Sequence, residues 1–146
     1  MALPTGSGTE TLHSHFFYDC DGSQTLIFGV QHHVYTVVSI IVCCRALNAT
    51  TDLFYIKFHG HDAHAGASQQ TGRIVGKNIQ AGETFTWNDR FSFNGVEPTG
   101  TNVLSASEQI AIAAQSGSAV QELQFDCTDA GDVYDVYVTY IDQDWT

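Results

Sequence analysis

Asp132-Val133-Tyr134-Asp135-Val136-Tyr137-Val138-Thr139-Tyr140-Ile141-Asp142 is the stretch whose reading decides the fold. Tyr134, Val136, Val138 and Tyr140 fall on one side of an extended chain, and Val133, Asp135, Tyr137 and Thr139 on the other, more polar side. A period of two in β-branched and aromatic residues predicts a strand with one face in a core. The strand lies close to the end of the sequence, so the core is expected to close only when this segment docks.

The same signal recurs upstream. Leu12–Tyr18 is an aromatic run ended by the turn Asp19-Cys20-Asp21-Gly22. Those aspartates imitate the start of a calcium loop, but the twelfth position is Val30 and offers no bidentate carboxylate. Leu26, Phe28 and Val30 alternate in a short strand. Val34–Arg45 is apolar on both sides and carries seven β-branched residues between Val34 and Val42, which favours strand over buried helix. Such a run is covered on both faces or gives one face to a subunit contact. Leu53–His59 reads as its hairpin partner, with Phe54, Ile56 and Phe58 buried. Residues 60–72 read as a long polar loop. Strands are predicted over 73–79 and 84–93, the second with a bulge or break near Asn88-Asp89. Residues 103–115 carry helix-favouring Ala and Glu, yet are read as extended because the pattern around them is all β. Leu123, Phe125 and Cys127 alternate in a half-exposed strand. The sum is one all-β domain over residues 11–146, an antiparallel β-sandwich or jelly roll of about eight or more short strands, preceded by a flexible arm over residues 1–10.

Composition narrows the function. At 146 residues the chain is long enough for one well-filled core. Only 14% of residues are charged, so the surface is built from Thr, Ser, Asn and Gln. The net charge of -11 opposes binding to nucleic acid and otherwise serves solubility. No apolar run approaches the length of about 18 residues that a membrane helix needs, and Met1–Gly8 lacks the basic and apolar regions of a secretory leader. Synthesis in a cytosol is expected, and with it free thiols at Cys20, Cys43, Cys44 and Cys127.

Beyond the alternation, the order of segments resembles a known group. The strand Val34–Cys44 leads through Asn48 into a second strand. Asn78-Ile79-Gln80-Ala81-Gly82-Glu83-Thr84-Phe85 follows, then Leu104-Ser105-Ala106-Ser107-Glu108-Gln109-Ile110-Ala111-Ile112, and the chain closes on Val136-Tyr137-Val138-Thr139-Tyr140-Ile141-Asp142. Over residues 30–142 this resembles the small β-sandwich structural proteins of tailed bacteriophages, namely capsid decoration (cement) proteins and related head, neck or tail subunits. It departs from them at residues 119–132, where an extra strand precedes the closing one. The resemblance implies a non-enzymatic virion structural protein on the capsid surface, made in the host cytoplasm. It implies packing on the major capsid protein or another virion structural protein, as a homo-oligomer with a trimer favoured. Val34, Tyr35, Val37, Ile41, Tyr137 and Trp145 are the candidate subunit-interface residues.

Chemistry is sparse. His59-Gly60-His61-Asp62-Ala63-His64 brings three imidazoles and a carboxylate together, and His59, His61 and His64 are the candidate ligands of a transition metal. A polar loop that happens to be rich in histidine is the plainer account, and a trimer axis could supply a site with one ligand per chain. No cofactor is otherwise implied. His13 and His15 share a strand face, whereas His32 and His33 do not. The acidic positions Asp126, Asp129, Asp132, Asp135, Asp142 and Asp144 read as solvated turns and edges rather than as a calcium site. No nucleophile elbow, zinc-protease helix or phosphate loop is present. The alternative to a virion subunit is a carbohydrate-binding, host-recognition module on the same scaffold, whose tools would be Trp and Tyr faces.

Overall fold

Two antiparallel sheets stack face to face, and the chain passes repeatedly from one to the other. The computed structural model describes residues 9–97, 106, 107, 110 and 119–144. The strands are β1 (Thr9–Cys20), β2 (Gln24–Phe28), β3 (His33–Ala46), β4 (Phe54–Asp62), β5 (Ala67–Lys77), β6 (Thr84–Trp87), β7 (Phe91–Asn94), β8 (Val96–Glu97), β9 (Ala119–Val120), β10 (Glu122–Cys127) and β11 (Val133–Asp144). One sheet has the order β1-β11-β3-β6, with β7 also paired to β3. The other has the order β2-β10-β4-β5, and β8 and β9 form a small ladder of their own. The protein is an all-β sandwich, as the alternation predicts.

The closing strand lies in the middle of the first sheet, flanked by β1 and β3. Tyr134, Val136, Val138 and Tyr140 all point into the core. They meet Phe54, Ile56, Leu123 and Phe125 from the second sheet, each fully buried. Phe54 stacks on Phe125 at 6.2 Å, and Tyr134 packs edge-on to Phe125 at 5.4 Å. Phe54 and Phe125 belong to neighbouring strands of the second sheet, and Tyr134, which also lies 5.8 Å from Phe54, joins that pair to the first sheet.

Five expectations need correction. The two-sided apolar run of β3 is not covered on both sides. A bulge at Val38 shifts its phase, so Tyr35 and Val37 face inward before it and Ile40, Val42 and Cys44 after it. β3 and β4 do not form a hairpin, because β4 pairs with β10 and β5 in the opposite sheet. The loop predicted over 60–72 is a hairpin. β4 runs to Asp62 and β5 starts at Ala67, around a turn in which the Asp62 side chain accepts the His64 N–H (2.9 Å) and Gly66 adopts φ +71°. Thr9 and Glu10, predicted to lie in a flexible arm, pair with Asp144 and Gln143 in β1. Of the segment read as extended over 103–115, the described Ala106, Ser107 and Ile110 are helical, so local propensity prevails there. Residues 1–8 and the rest of 103–115 lie outside the described residues.

The turn at Gln80–Glu83 is a bridge between the sheets. Gln80 N donates to Glu83 Oε1 (2.8 Å), Gly82 takes φ +87°, and Gly82 N and Glu83 O bond the backbone of Cys44 at 2.8 and 3.0 Å. Asn78 Nδ2 donates to the carbonyls of Thr50 and Asp52. Its Gln, Gly and Glu are there to satisfy backbone groups at a crossover.

Candidate assembly surface

The outer face of the first sheet is laid out in registered rows. Phe16, Tyr137, Ile41 and Thr86 lie side by side across β1, β11, β3 and β6. Next come Ser14, Thr139 and Ser39, then Leu12, Ile141 and Thr36. Phe16 and Tyr137 stack with ring centres 4.7 Å apart and planes 8° from parallel. Leu12 is 70% exposed, Phe16 55%, Tyr18 62% and Tyr137 40%.

Phe16, Tyr18 and Tyr137 form one aromatic cluster on the β1 side of the sheet, and Leu12 continues the uncharged strip beyond the Ser14–Thr139 row. Isolated exposed apolar residues are ordinary, whereas a contiguous strip on a sheet face marks a contact surface. The strip carries no charge in its central rows, in a chain whose net charge is -11. Its charged end is organised. Arg45 pairs with Asp19, lies 3.7 Å from Asp135, and covers the Tyr18 ring at 4.8 Å. Aromatic rings and arginine are enriched at the centre of protein interfaces, and here two aspartates at the end of the strip offset the arginine's charge.

The predicted interface residues separate. Ile41 and Tyr137 are cross-strand partners on this outer face. Tyr35 and Val37 are in the core, 3% and 0% exposed, and cannot reach a partner, because the β3 bulge turns them inward. The Tyr35 hydroxyl instead accepts from Val30 N (3.1 Å) and donates to Phe28 O (3.2 Å), pinning the β2–β3 connection. Burial, with Asp142 nearby, pushes it up to about 12. Val34 is half-buried beside Phe58 and Phe93 in a cleft of 390 Å³, and Trp145 lies outside the described residues. Leu12, Phe16 and Tyr18 are exposed residues of this face that sequence reasoning did not single out. Their spacing of four and two on a strand was the available signal.

The inner face of β1 is also partly open. His13 stacks on Tyr140 at 5.0 Å and His15 meets the same ring edge-on at 5.2 Å. With Leu26, Phe28 and Val30 they line a cleft of 520 Å³ where β1 and β2 part.

Within one chain the histidine run does not bring its three rings together. Both ring nitrogens of His59 are engaged, Nδ1 with Thr71 Oγ1 (2.8 Å) and Nε2 with Gln69 Oε1 (2.7 Å). His61 faces the cleft beside Phe58 and Gln121, and His64 is exposed on the turn. Among the described residues no three His, Cys, Asp or Glu side chains come together as metal ligands. The β4–β5 hairpin, which the sequence reading took for a loop, holds the three apart.

The acidic positions are likewise dispersed. Asp126 pairs with Lys57 at 2.7 Å, and Asp142 and Asp144 lie 2.7 and 3.7 Å from the His33 ring. Burial pushes the Asp126 carboxyl upward, but the Lys57 ammonium and the Cys127 N–H outweigh it and leave it below the usual value. Asp132 is fully buried. It accepts Asn48 N (2.8 Å) and Asp129 N (3.3 Å) and shares a hydrogen bond with the Asp52 carboxyl. Burial and the Asp52 carboxyl raise its pKa, against the pull of the backbone donors. It fastens the β3–β4 crossing to the start of β11.

No known family model and no curated protein matches the sequence. Among solved structures the chain is similar to one of the infectious bursal disease virus Gx strain, with TM-score 0.41 and 5% identity over 94% of this chain and 29% of that one. A structure of the T13 viral particle of the same virus gives TM-score 0.35 and 8% identity over 94% and 36%. The Gt strain structure gives TM-score 0.29 and 8% identity over 97% and 38%. The chain thus spans 29% to 38% of the length of these proteins. At this level of superposition the likeness carries no argument about function.

Proposed function

We propose that this chain is a virion structural subunit, a capsid decoration (cement) protein that packs on a phage head lattice through the outer face of its β1-β11-β3 sheet. The observation that carries the reading is the uncharged strip of Leu12, Phe16 and Tyr137, ending at Tyr18 and Arg45. The resemblance of residues 30–142 to small phage sandwich proteins supports it. The partner is the major capsid protein or another virion structural protein, and the subunit acts as a homo-oligomer, with a trimer favoured. A modest contact suffices for each copy, because repeated linkage over a lattice adds avidity.

The test is co-sedimentation of the purified chain with capsid shells that lack it. The wild-type chain is expected to pellet with shells at a fixed ratio. A Phe16→Ser/Tyr137→Ser double variant is expected to stay in the supernatant while melting within about 3 °C of wild type, since both side chains are exposed. No sedimentation of the wild-type chain, or equal binding by the variant, overturns the reading. Reproducible signals on a glycan array would replace it with a carbohydrate-binding module, and density on the neck or tail of the native particle would move the subunit there.

A further inference from the structure

We infer that two copies of this chain pair edge to edge through β1, antiparallel and centred on Ser14, to give a sheet continuous across the dimer. β1 is a 12-residue strand at the end of its sheet, hydrogen-bonded to β11 on one side. Among the described residues no strand pairs with its other side. The N–H and C=O groups along such an edge are satisfied most fully by another strand, and natural edges are usually guarded by Lys, Pro, bulges or inward charges. From Thr11 to Tyr18 β1 carries none of these residue types, and its one irregularity lies beyond Phe17.

The occupant follows from the order of residues. Leu12-His13-Ser14-His15-Phe16 reads the same by residue class from either end. In a two-fold antiparallel pair every residue of one copy faces its mirror position in the other, so such a palindrome matches like with like. Ser14 meets Ser14 on the axis, Leu12 meets Phe16 twice on the outer face, and His13 meets His15 twice on the inner face. Two exposed apolar side chains, Leu12 at 70% and Phe16 at 55%, are then covered together. The second copy's Leu12 comes beside the Phe16–Tyr137 stack and extends the strip across both copies. The nearest acids, Glu10 and Asp19, flank the matched segment and do not oppose each other in this register. The pairing is a property of the isolated chain, so it stands or falls separately from the lattice reading and from any three-fold grouping.

Light scattering of the full chain tests the mass, and a Ser14→Cys variant tests the register. Opposed residues of an antiparallel pair lie about 4.5–5.5 Å apart at Cα, within disulfide range. Mild oxidation is expected to give a covalent dimer of Ser14→Cys and none of wild type, whose own thiols serve as the control. Leu12→Lys, at an exposed position, is expected to weaken pairing by at least roughly tenfold while leaving the melting curve of the dilute, monomeric chain in place, because each dimer contains the contact twice. A wild-type chain that stays monomeric at its highest soluble concentration overturns the inference. So does an oligomer that Leu12→Lys does not weaken and in which Ser14→Cys does not cross-link.

Discussion

Asp132 and Tyr134 are buried polar groups with opposite balances. Asp132 answers two backbone N–H groups that would otherwise be orphaned inside the protein. Asp132→Ala is therefore expected to cost about 2–3 kcal/mol, read by urea unfolding. Asp132→Asn keeps a side-chain acceptor and removes the buried charge. A carboxyl whose folded pKa is raised binds more protons folded than unfolded, so its charge weighs on the fold fully above that pKa and not at all below the unfolded value. The stability of Asp132→Asn relative to wild type should thus be greatest at neutral pH and shrink on acidification toward pH 4; a difference that grows on acidification would refute this account. The Tyr134 hydroxyl has no hydrogen-bond partner among the described residues. Tyr134→Phe is expected to be neutral or stabilising by about 1 kcal/mol, and a loss of similar size would show that the hydroxyl is satisfied after all. Burial, with Asp135 and Asp21 nearby, raises Cys20 to about 11, and burial, with Asp132 and Asp126, raises Cys127 to about 11. At pH 8 both thiols should react with a disulfide reagent about a hundredfold more slowly than in the unfolded chain, checked by mass spectrometry of timed labelling.

Among the elements, the crossings between sheets demand more of the sequence than the strands do. Gly29, Gly95 and Gln121 meet where the β2–β3 connection, the β7–β8 link and the β9–β10 step pass one another. A Cβ on Gly95 would lie 2.1 Å from Val30 O, and one on Gly29 would lie 2.2 Å from the carbonyls of Gln121 and Gly95. Backbone stands on both sides, so neither contact is relieved by a rotamer change. Gly95→Ala is expected to cost about 3 kcal/mol, as a shift in the denaturant midpoint with unchanged slope. A change under about 0.5 kcal/mol would mean that the crossing is loose. Strand positions were legible because alternation was strong in β2, β10 and β11. The β3 run was not, since its apolar residues break the period of two, and only pairing with β11 shows that Val38 is the extra residue. The β4–β5 hairpin was hidden for another reason. Its polar residues Ser68, Gln69 and Gln70 read as loop, yet Gln70 pairs with Gly60 and Ala67 with Asp62, on either side of an irregularity at Ser68 and Gln69.

For the whole molecule, the exposed apolar side chains on the first sheet, Leu12, Phe16, Tyr18 and Tyr137, stand apart from the core, as do Phe28 and Val30 at the cleft beside β2. The core residues are set by packing, and the strip contributes little to folding. Phe16 and Tyr137 stack on each other at the surface, so replacing both should change assembly far more than stability. The measurement is a comparison of the melting temperature with the weight-average mass of the same samples. If the double variant unfolds in step with its loss of assembly, the strip belongs to the fold and not to a contact.

Alternation of small β-branched and aromatic residues was enough to determine from the sequence alone an all-β class, the inward face of β11 and the break between β6 and β7, because a strand's period is a local property. Which strand lies beside which, that Tyr35 is core while Phe16 is surface, and that the three histidines stand apart were decided only by the tertiary structure. Pairing partners are set by contacts between residues far apart in the chain, and the local pattern of side chains carries no record of them.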